Sequence, residues 1–420
     1  MKLKSIKDID VSGKKILLKV DYNVPLSKNS KGQMQIMDDT RIQISLPTIR
    51  YLLSKNCAVI LMSHVGRPDG EILEDCRMKP MANHLAHLLN QPVSTVNEVI
   101  GDQAAGAAKN LLPGGLLMLE NNRFAKGETG NDLTLAKTLA SYADIFVNDG
   151  FSLSHRAHAS VEGVTHFLPS YAGLALIKEV EMLSKLTDHP QHPFVAVVGG
   201  AKISDKVDAI KNLRKVADVI LVGGGVANNF LKAEGVEVFH SYLQDVVADE
   251  TKKSVDYIEF SKKLMDDAKQ GKMLLDGFIP LPQIIYPVDV YSVTKLKKTD
   301  SIHLVNVTKE VIQEKQANMY IDIGPKTQKL YSHIISQAKT IFWNGPMGIF
   351  EIKEYAAGTK AVANAIAGAN ATTILGGGDT INAIHQFGLD AEYDYVSTSG
   401  GASLEFLGGL ELPGLKPLTL

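Results

Sequence analysis

The chain has 420 residues, 45% of them hydrophobic and 21% charged, with a formal net charge of −2. This is the composition of a soluble globular protein, and the length exceeds what one hydrophobic core usually serves, so two domains are expected. The near-neutral balance argues against nucleic acid as the main partner, and no apolar run reaches the roughly 18 residues that suggest a membrane span. Only two cysteines occur, Cys57 and Cys76, in no metal-binding spacing, and Met1 to Asp8 form no apolar signal segment; both point to a reducing, cytoplasmic setting.

Six of the seven arginines, Arg41, Arg50, Arg67, Arg77, Arg123 and Arg156, fall in the first 160 residues, with Arg214 the exception. A guanidinium matches carboxylate or phosphate bidentately, so this segregation suggests that the first half holds a small anion.

In chain order, Lys15 to Val20 reads as a strand ending in Asp21-Tyr22-Asn23. Thr40 opens an amphipathic helix to about Ser54, with Ile42, Leu46, Ile49 and Leu53 spaced for one buried face. Ala58 to Met62 is a buried strand ending in Ser63-His64-Val65-Gly66-Arg67, and Met78 to Leu89 is helical. Leu116 to Leu119 is a strand ending in Glu120-Asn121-Asn122-Arg123. Leu133 to Ala143 is a helix, and Ile145 to Val147 a strand ending in Asn148-Asp149-Gly150, ahead of His155-Arg156. Repeated β-α units with near-continuous apolar strands predict a parallel sheet covered on both faces, with ligands at the carboxyl ends of the strands. Four successive strand ends carry polar or basic residues: Asp21 and Asn23, His64 and Arg67, Arg123, and His155 with Arg156.

A helical stretch between Gly163 and Thr187 and the two-proline segment Asp188 to Pro193 place a domain boundary between about 165 and 192. The second half repeats the architecture with glycine at its strand ends. Phe194 to Val198 breaks at Gly199-Gly200 and is read as leading into a helix on which Lys202 and Lys206 share a face, their ammoniums joining backbone N–H groups around one anion. Val219 to Val222 runs into Gly223-Gly224-Gly225, and Met319 to Ile323 into Gly324-Pro325. Thr340 to Trp343 runs into Asn344-Gly345-Pro346, Thr372 to Leu375 into Gly376-Gly377-Gly378-Asp379-Thr380, and Tyr395 to Thr398 into Ser399-Gly400-Gly401. Six glycine-bearing ends facing one crevice would admit a phosphate-bearing ligand. Residues 245–298 hold a long helix and strand-like runs that the pattern does not place in detail. No P-loop, zinc-protease or nucleophile-elbow motif occurs, and no G-x-G-x-x-G follows the first strand.

Arginines in one half and glycine turns with paired lysines in the other suit a bi-substrate enzyme that brings a small acid and a nucleotide together for phosphoryl transfer. Asp379, after three glycines at a helix start, is either a Mg²⁺ carboxylate or an N-cap.

The ordered segments Lys19-Val-Asp-Tyr-Asn-Val-Pro25, Leu61-Met-Ser-His-Val-Gly-Arg-Pro68, Leu119-Glu-Asn-Asn-Arg-Phe124, His155-Arg-Ala-His-Ala-Ser160, Gly199-Gly-Ala-Lys-Ile-Ser-Asp-Lys206, Trp343-Asn-Gly-Pro-Met-Gly-Ile-Phe-Glu351, Gly376-Gly-Gly-Asp-Thr380 and Ser397-Thr-Ser-Gly-Gly-Ala402 closely resemble those of phosphoglycerate kinases. The resemblance implies an α/β protein of two doubly wound, Rossmann-like parallel-sheet domains joined by a hinge, whose C-terminal helix packs back on the N-terminal domain. Their expected bounds are 1–170 plus 402–420 for the acid-binding domain, 171–192 for the connecting helix and linker, and 193–401 for the nucleotide domain. It implies reversible transfer between 1,3-bisphosphoglycerate plus ADP and 3-phosphoglycerate plus ATP, with Mg²⁺, by a monomer that closes about its hinge.

By motif match, Asp21, Asn23, Arg41, His64, Arg67, Arg123 and Arg156 would hold 3-phosphoglycerate, Arg41 also reaching the moving phosphoryl group. Gly200, Ala201, Lys206, Gly224, Gly324, Asn344, Pro346, Glu351, Gly377, Gly378, Asp379 and Thr380 would line the nucleotide site, with Asp379 on the metal. Lys202, Lys206, Gly378, Gly400 and Gly401 would serve the transferring group. Alternatives are another acyl-phosphate-forming kinase or a catalytically impaired nucleotide-binding homologue. Some positions depart from the family pattern: Ser399 stands for a third glycine and adds a hydroxyl beside the phosphoryl path, Asn122 for an apolar or smaller residue, Gly150 for alanine and Ser152 for glycine. Gly408-Gly409-Leu410 lacks the usual charges, and residues 240–300 fit loosely.

Overall fold

The computed structural model describes residues 1–248, 254–267, 271–297, 300–307 and 318–420; parts of the loosely fitting 240–300 segment therefore lie outside the described residues. The chain divides into two compact units, Met1–Glu181 with Glu411–Leu420, and Met182–Leu410. The first division falls inside helix Leu174–Thr187, within the segment expected to connect the domains. The second differs from the expected 402. Helix Gly400–Leu407 packs on helix Val207–Val216 within the second unit, and the chain then turns at Gly409, whose φ of 71° suits glycine. Only Glu411–Leu420 joins the first unit, where Lys4 N donates to Leu418 O at 2.8 Å and Gly414 N to Ser154 O at 2.8 Å.

In the first unit, strands β1 (Lys15–Lys19), β2 (Ala58–Met62), β3 (Ser94–Thr95), β4 (Leu116–Met118), β5 (Ile145–Asn148) and β6 (Ser170–Ala172) form a parallel sheet in the order β3-β4-β2-β1-β5-β6. Successive side chains leave opposite faces of a strand, so both faces need cover. Ile16, Leu18, Val59 and Leu61 pack in one core with helices α1 (Thr40–Ser54) and α2 (Lys79–Leu89). Leu17, Ile60 and Met62 pack in another with α3 (Asp102–Asn110) and α4 (Leu133–Ala140). Truncating one of these fully buried side chains, such as Ile60, to alanine costs about 2–5 kcal/mol.

The second unit has a parallel sheet of β7 (Phe194–Val198), β8 (Val219–Val222), β9 (Ile284–Ile285), β13 (Thr340–Asn344), β14 (Thr372–Gly376) and β15 (Tyr395–Ser397), in the order β9-β8-β7-β13-β14-β15. Beside it lies a sheet the sequence pattern did not separate: β10 (Asp289–Val293) pairs antiparallel with β11 (His303–Asn306) and β12 (Met319–Ile323). The Gly324 turn therefore ends a strand of this smaller sheet, leaving five glycine-bearing ends on the parallel one. Among the described residues no helix is long and apolar enough to cross a membrane.

Candidate functional site

Because β1, β2, β4 and β5 are parallel, their carboxyl ends share one edge of the first sheet, and the polar loops gather there. Asp21 is the knot. Its Oδ2 accepts from Arg41 Nη1 at 2.6 Å and from Ser152 Oγ, and its Oδ1 accepts from Asn23 N at 2.9 Å. Arg41 Nη1 also donates to Asn23 O at 3.3 Å, and Asn23 Oδ1 accepts from Gly66 N at 2.9 Å, tying the first loop to the His64–Arg67 loop. Burial opposes ionisation of Asp21, yet Arg41, His64, Ser152 and the Asn23 N–H together hold its carboxyl below the ordinary range.

Arg123 is 6% exposed and Arg156 half-buried, with Arg156 Nε donating to His155 Nε2 at 3.0 Å. Arg67 is exposed at the same edge, close enough that it and Arg156 both repel charge on Arg123. Among the described residues none of these three guanidiniums is ion-paired with a carboxylate. Burial, reinforced by Lys19 and Arg123, pushes the imidazoles of His64 and His158 down to about 3, so both are neutral at physiological pH. The positive charge of this edge is therefore carried by arginines, with Asp21 balancing Arg41 and the two imidazoles neutral, an arrangement suited to a small anion.

Of the six early arginines, four reach this edge. Arg50 lies exposed on α1, and Arg77 is tied to Glu74 at 2.6 Å and Glu120 at 3.1 Å. Sequence reasoning missed a buried layer beneath the cluster. Lys19, 1% exposed, donates to Ser160 Oγ at 2.7 Å, and Ser160 Oγ donates to Glu128 Oε1 at 2.5 Å. His158 Nδ1 lies 3.9 Å from the same carboxylate oxygen. A lysine inside the apolar run of β1 was the one available signal, since such a charge stays buried only when paired.

In the second unit, two cavities meet at Gly200, Ala201 and Asp379. The first, about 400 Å³, is largely apolar, with Leu231, Val290, Ile323, Pro346 and Met347 among its walls and Gly224 and the exposed Glu351 at its lining. The second, about 450 Å³, is lined by Lys202, Lys206, Asn344, Gly377, Gly378, Thr380, Gly400 and Gly401. Helix Gly378–Phe387 opens onto it with the unpaired N–H groups of its first turn, Gly377 preceding it at φ 96°. Asp379 is the second residue of that helix, exposed, and no side chain caps the helix, so the N-cap alternative falls away.

Lys202 and Lys206 do not share a helical face. Lys206 closes a 3₁₀ turn, Ser204–Lys206, and the α-helix starts only at Val207. Nor are the glycine amides spare: Gly199 N donates to Asn344 O at 2.9 Å and Gly200 N to Pro346 O at 2.8 Å, stitching the loop after β7 to that after β13. The stitch is tight, since a Cβ on Gly199 would stand 2.1 Å from Pro346 O. The lysines still face one cavity, because Lys206 Nζ reaches across to Asn344 Oδ1 at 2.5 Å. Burial lowers the Lys206 ammonium's hold on its proton, while Asp205 and Asp379 strengthen it.

Gly324 lines neither cavity; it precedes helix Pro325–Ser336, behind the lining residue Ile323. Ser399, expected to add a hydroxyl beside the phosphoryl path, lines neither as well, and its φ of −102° is ordinary for serine.

The chain matches the family model for phosphoglycerate kinase over residues 6–410. It is 44% identical to the phosphoglycerate kinase of Pseudothermotoga lettingae over 423 aligned positions, covering 100% of this chain and 99% of that protein. It is also 44% identical to the one from Herpetosiphon aurantiacus, with 100% and 99% covered. Its fold is similar to the solved phosphoglycerate kinase of Coxiella burnetii, with a TM-score of 0.83, 35% identity and coverage of 100% and 99%. The solved enzyme from Pyrococcus horikoshii gives a TM-score of 0.80 and 31% identity, with 99% and 98% covered.

Proposed function

The chain belongs to the phosphoglycerate kinase family, and from this we propose that it moves a phosphoryl group reversibly between ATP and the carboxylate of 3-phosphoglycerate, yielding ADP and 1,3-bisphosphoglycerate. The observation that carries the reading is the adjoining pair of cavities, one apolar and sized for a nucleoside, one lined by glycine, Lys202, Lys206 and a helix N-terminus and suited to its phosphates.

The attacking carboxylate is already an anion near neutral pH, so the reaction needs no protein base. It needs positioning and cancellation of charge on the moving group. In this reading Asn23, His64, Arg67, Arg123 and Arg156 hold the acid, and Asp21 orients Arg41 toward it. Gly200, Ala201, Gly224, Pro346 and Glu351 surround the nucleoside, while Lys206, Asn344, Gly377, Gly378 and Thr380 take its phosphates. Lys202 and Gly401 serve the transferring phosphoryl group.

The residues present fit Mg²⁺ held chiefly through nucleotide phosphate. Among the described residues no cluster of three or more His, Cys, Asp or Glu forms a cage, and Asp379 offers one exposed carboxylate where the cavities meet. When bound there the ion neutralises phosphate charge. The same reading makes the protein a cytoplasmic monomer.

The test is a coupled assay with 3-phosphoglycerate, ATP and Mg²⁺, run beside acetate, aspartate and glutamate as acceptors. Turnover confined to 3-phosphoglycerate is the expected result; turnover with another acid alone, or none, overturns the proposal.

A further inference from the structure

We infer that Ser152 is a positioning residue for the phosphoglycerate site: its hydroxyl locks the Asp21 carboxylate and, through it, the Arg41 guanidinium. The inference deepens the reading above and rests on it.

Ser152 sits at the centre of a 3₁₀ turn, Phe151–Leu153, that is fixed from both sides. Leu153 N donates to Gly150 O at 3.1 Å, and Ser154 Oγ donates to the same carbonyl at 3.0 Å. Asn148 Nδ2 donates to Ser154 Oγ and to Gly414 O, each at 3.1 Å. A turn held this firmly has one direction in which to aim its middle side chain, and Ser152 Oγ donates to Asp21 Oδ2. That oxygen also receives Arg41 Nη1 at 2.6 Å, while the other oxygen receives Asn23 N at 2.9 Å.

The carboxylate thus has three donors, one from helix α1, one from its own loop after β1 and one from the turn after β5, and its rotamer is set before any substrate arrives. A serine hydroxyl has a single proton to give. Where glycine stands at this position, as the resemblance leads one to expect, the third donor is missing and Asp21 is free to swing with Arg41. Charge-assisted hydrogen bonds of this kind are the strong ones, and pre-setting them spares their ordering on binding.

Asp21 is faced by Arg41 from α1, His64 from the loop after β2, Lys19 from β1 and His155 from the loop after β5. Of these, the Arg41 guanidinium is cationic, His64 is neutral near physiological pH, and burial lowers the Lys19 ammonium's hold on its proton while Asp21 and Glu128 strengthen it. Ser152 is one of the donors that hold the Asp21 carboxyl down, so losing it moves that carboxyl back up.

The experiment compares Ser152→Ala and Ser152→Gly with Ser152→Thr, which keeps the hydroxyl. In Ser152→Ala, kcat/KM for 3-phosphoglycerate is expected to fall roughly five- to tenfold with KM for ATP unchanged. Its acid limb moves to higher pH, and Ser152→Thr restores most of the loss. Equal changes in both substrates' KM, an unmoved acid limb, or a Ser152→Thr enzyme as impaired as Ser152→Ala would overturn the role. If Ser152→Ala proves unstable, Ser152→Gly decides by the same split. A wild-type protein with no turnover on 3-phosphoglycerate overturns the family reading and the proposal with it; an active wild type with unaffected variants overturns the Ser152 role alone.

Discussion

Lys206 Nζ donates to Asn344 Oδ1 at 2.5 Å, and the other end of that amide, Asn344 Nδ2, is buried with no hydrogen-bond partner among the described residues. The lysine therefore holds the amide so that its free N–H group faces the glycine turn at Gly377, whose added Cβ would lie 3.1 Å away. Lys206→Ala should raise KM for ATP by at least roughly tenfold while leaving KM for 3-phosphoglycerate near wild type, because it removes both an ammonium and the brace on Asn344. Steady-state kinetics with each substrate varied in turn checks it.

Lys202 is exposed on the same cavity. If its contact is made chiefly in the transition state, Lys202→Ala loses most of kcat with modest change in KM. A loss confined to KM contradicts that role.

Arg67 is the most exposed of the three guanidiniums that have no carboxylate partner among the described residues. Arg67→Ala should raise KM for 3-phosphoglycerate far more than for ATP, by about ten- to a hundredfold if a charge-assisted pair is lost. A change confined to ATP contradicts it.

His64 and His158 give the first unit an acid weakness. Their folded pKa of about 3 lies below the ordinary 6.5, so between those values the unfolded chain binds more protons. Stability is then full above about 6.5 and lost as pH falls toward 3. His158→Gln should flatten part of that fall, measured as urea midpoints at pH 7.5 and 4.5. The opposite sign holds for Asp322 and Asp149. Burial raises them to about 8 and about 7, and each contributes stability that is lost as pH rises through those values.

Asn122 is fully buried, and neither atom of its amide has a hydrogen-bond partner among the described residues. Burying an unpaired amide costs about 1–3 kcal/mol. Asn122→Leu, which keeps the branching at Cγ, should unfold at higher urea; an unchanged or lower midpoint counts against the idea.

Helix Thr40–Ser54 and strands Ala58–Met62 and Phe194–Val198 were legible residue for residue, because their apolar spacing is set by faces that are in fact buried. The site was legible as loops, since parallel strands bring their carboxyl ends together whatever the sequence between them. What stayed hidden was contact across long separations. Lys19 meets Ser160 141 positions away, and Ser152 meets Asp21 131 positions away. The lysine pair misled because spacing of four implies a shared face only inside a helix, and here a 3₁₀ turn intervenes. The smaller antiparallel sheet escaped because strands of only four or five residues carry little periodicity.

The interlock of the loops after β7 and β13 limits how this protein can vary. A Cβ on Gly199 would meet Pro346 O at 2.1 Å, and one on Gly345 would meet Gly199 O at 2.3 Å. Each glycine is blocked by backbone of the other turn, and backbone has no alternative rotamer in which to step aside. Compensating pairs of replacements are thereby closed off as well as single ones. The apolar walls of the neighbouring cavity, Leu231 and Val290 among them, carry no such backbone block, so variation in this unit is left to side chains while the floor beneath stays the same.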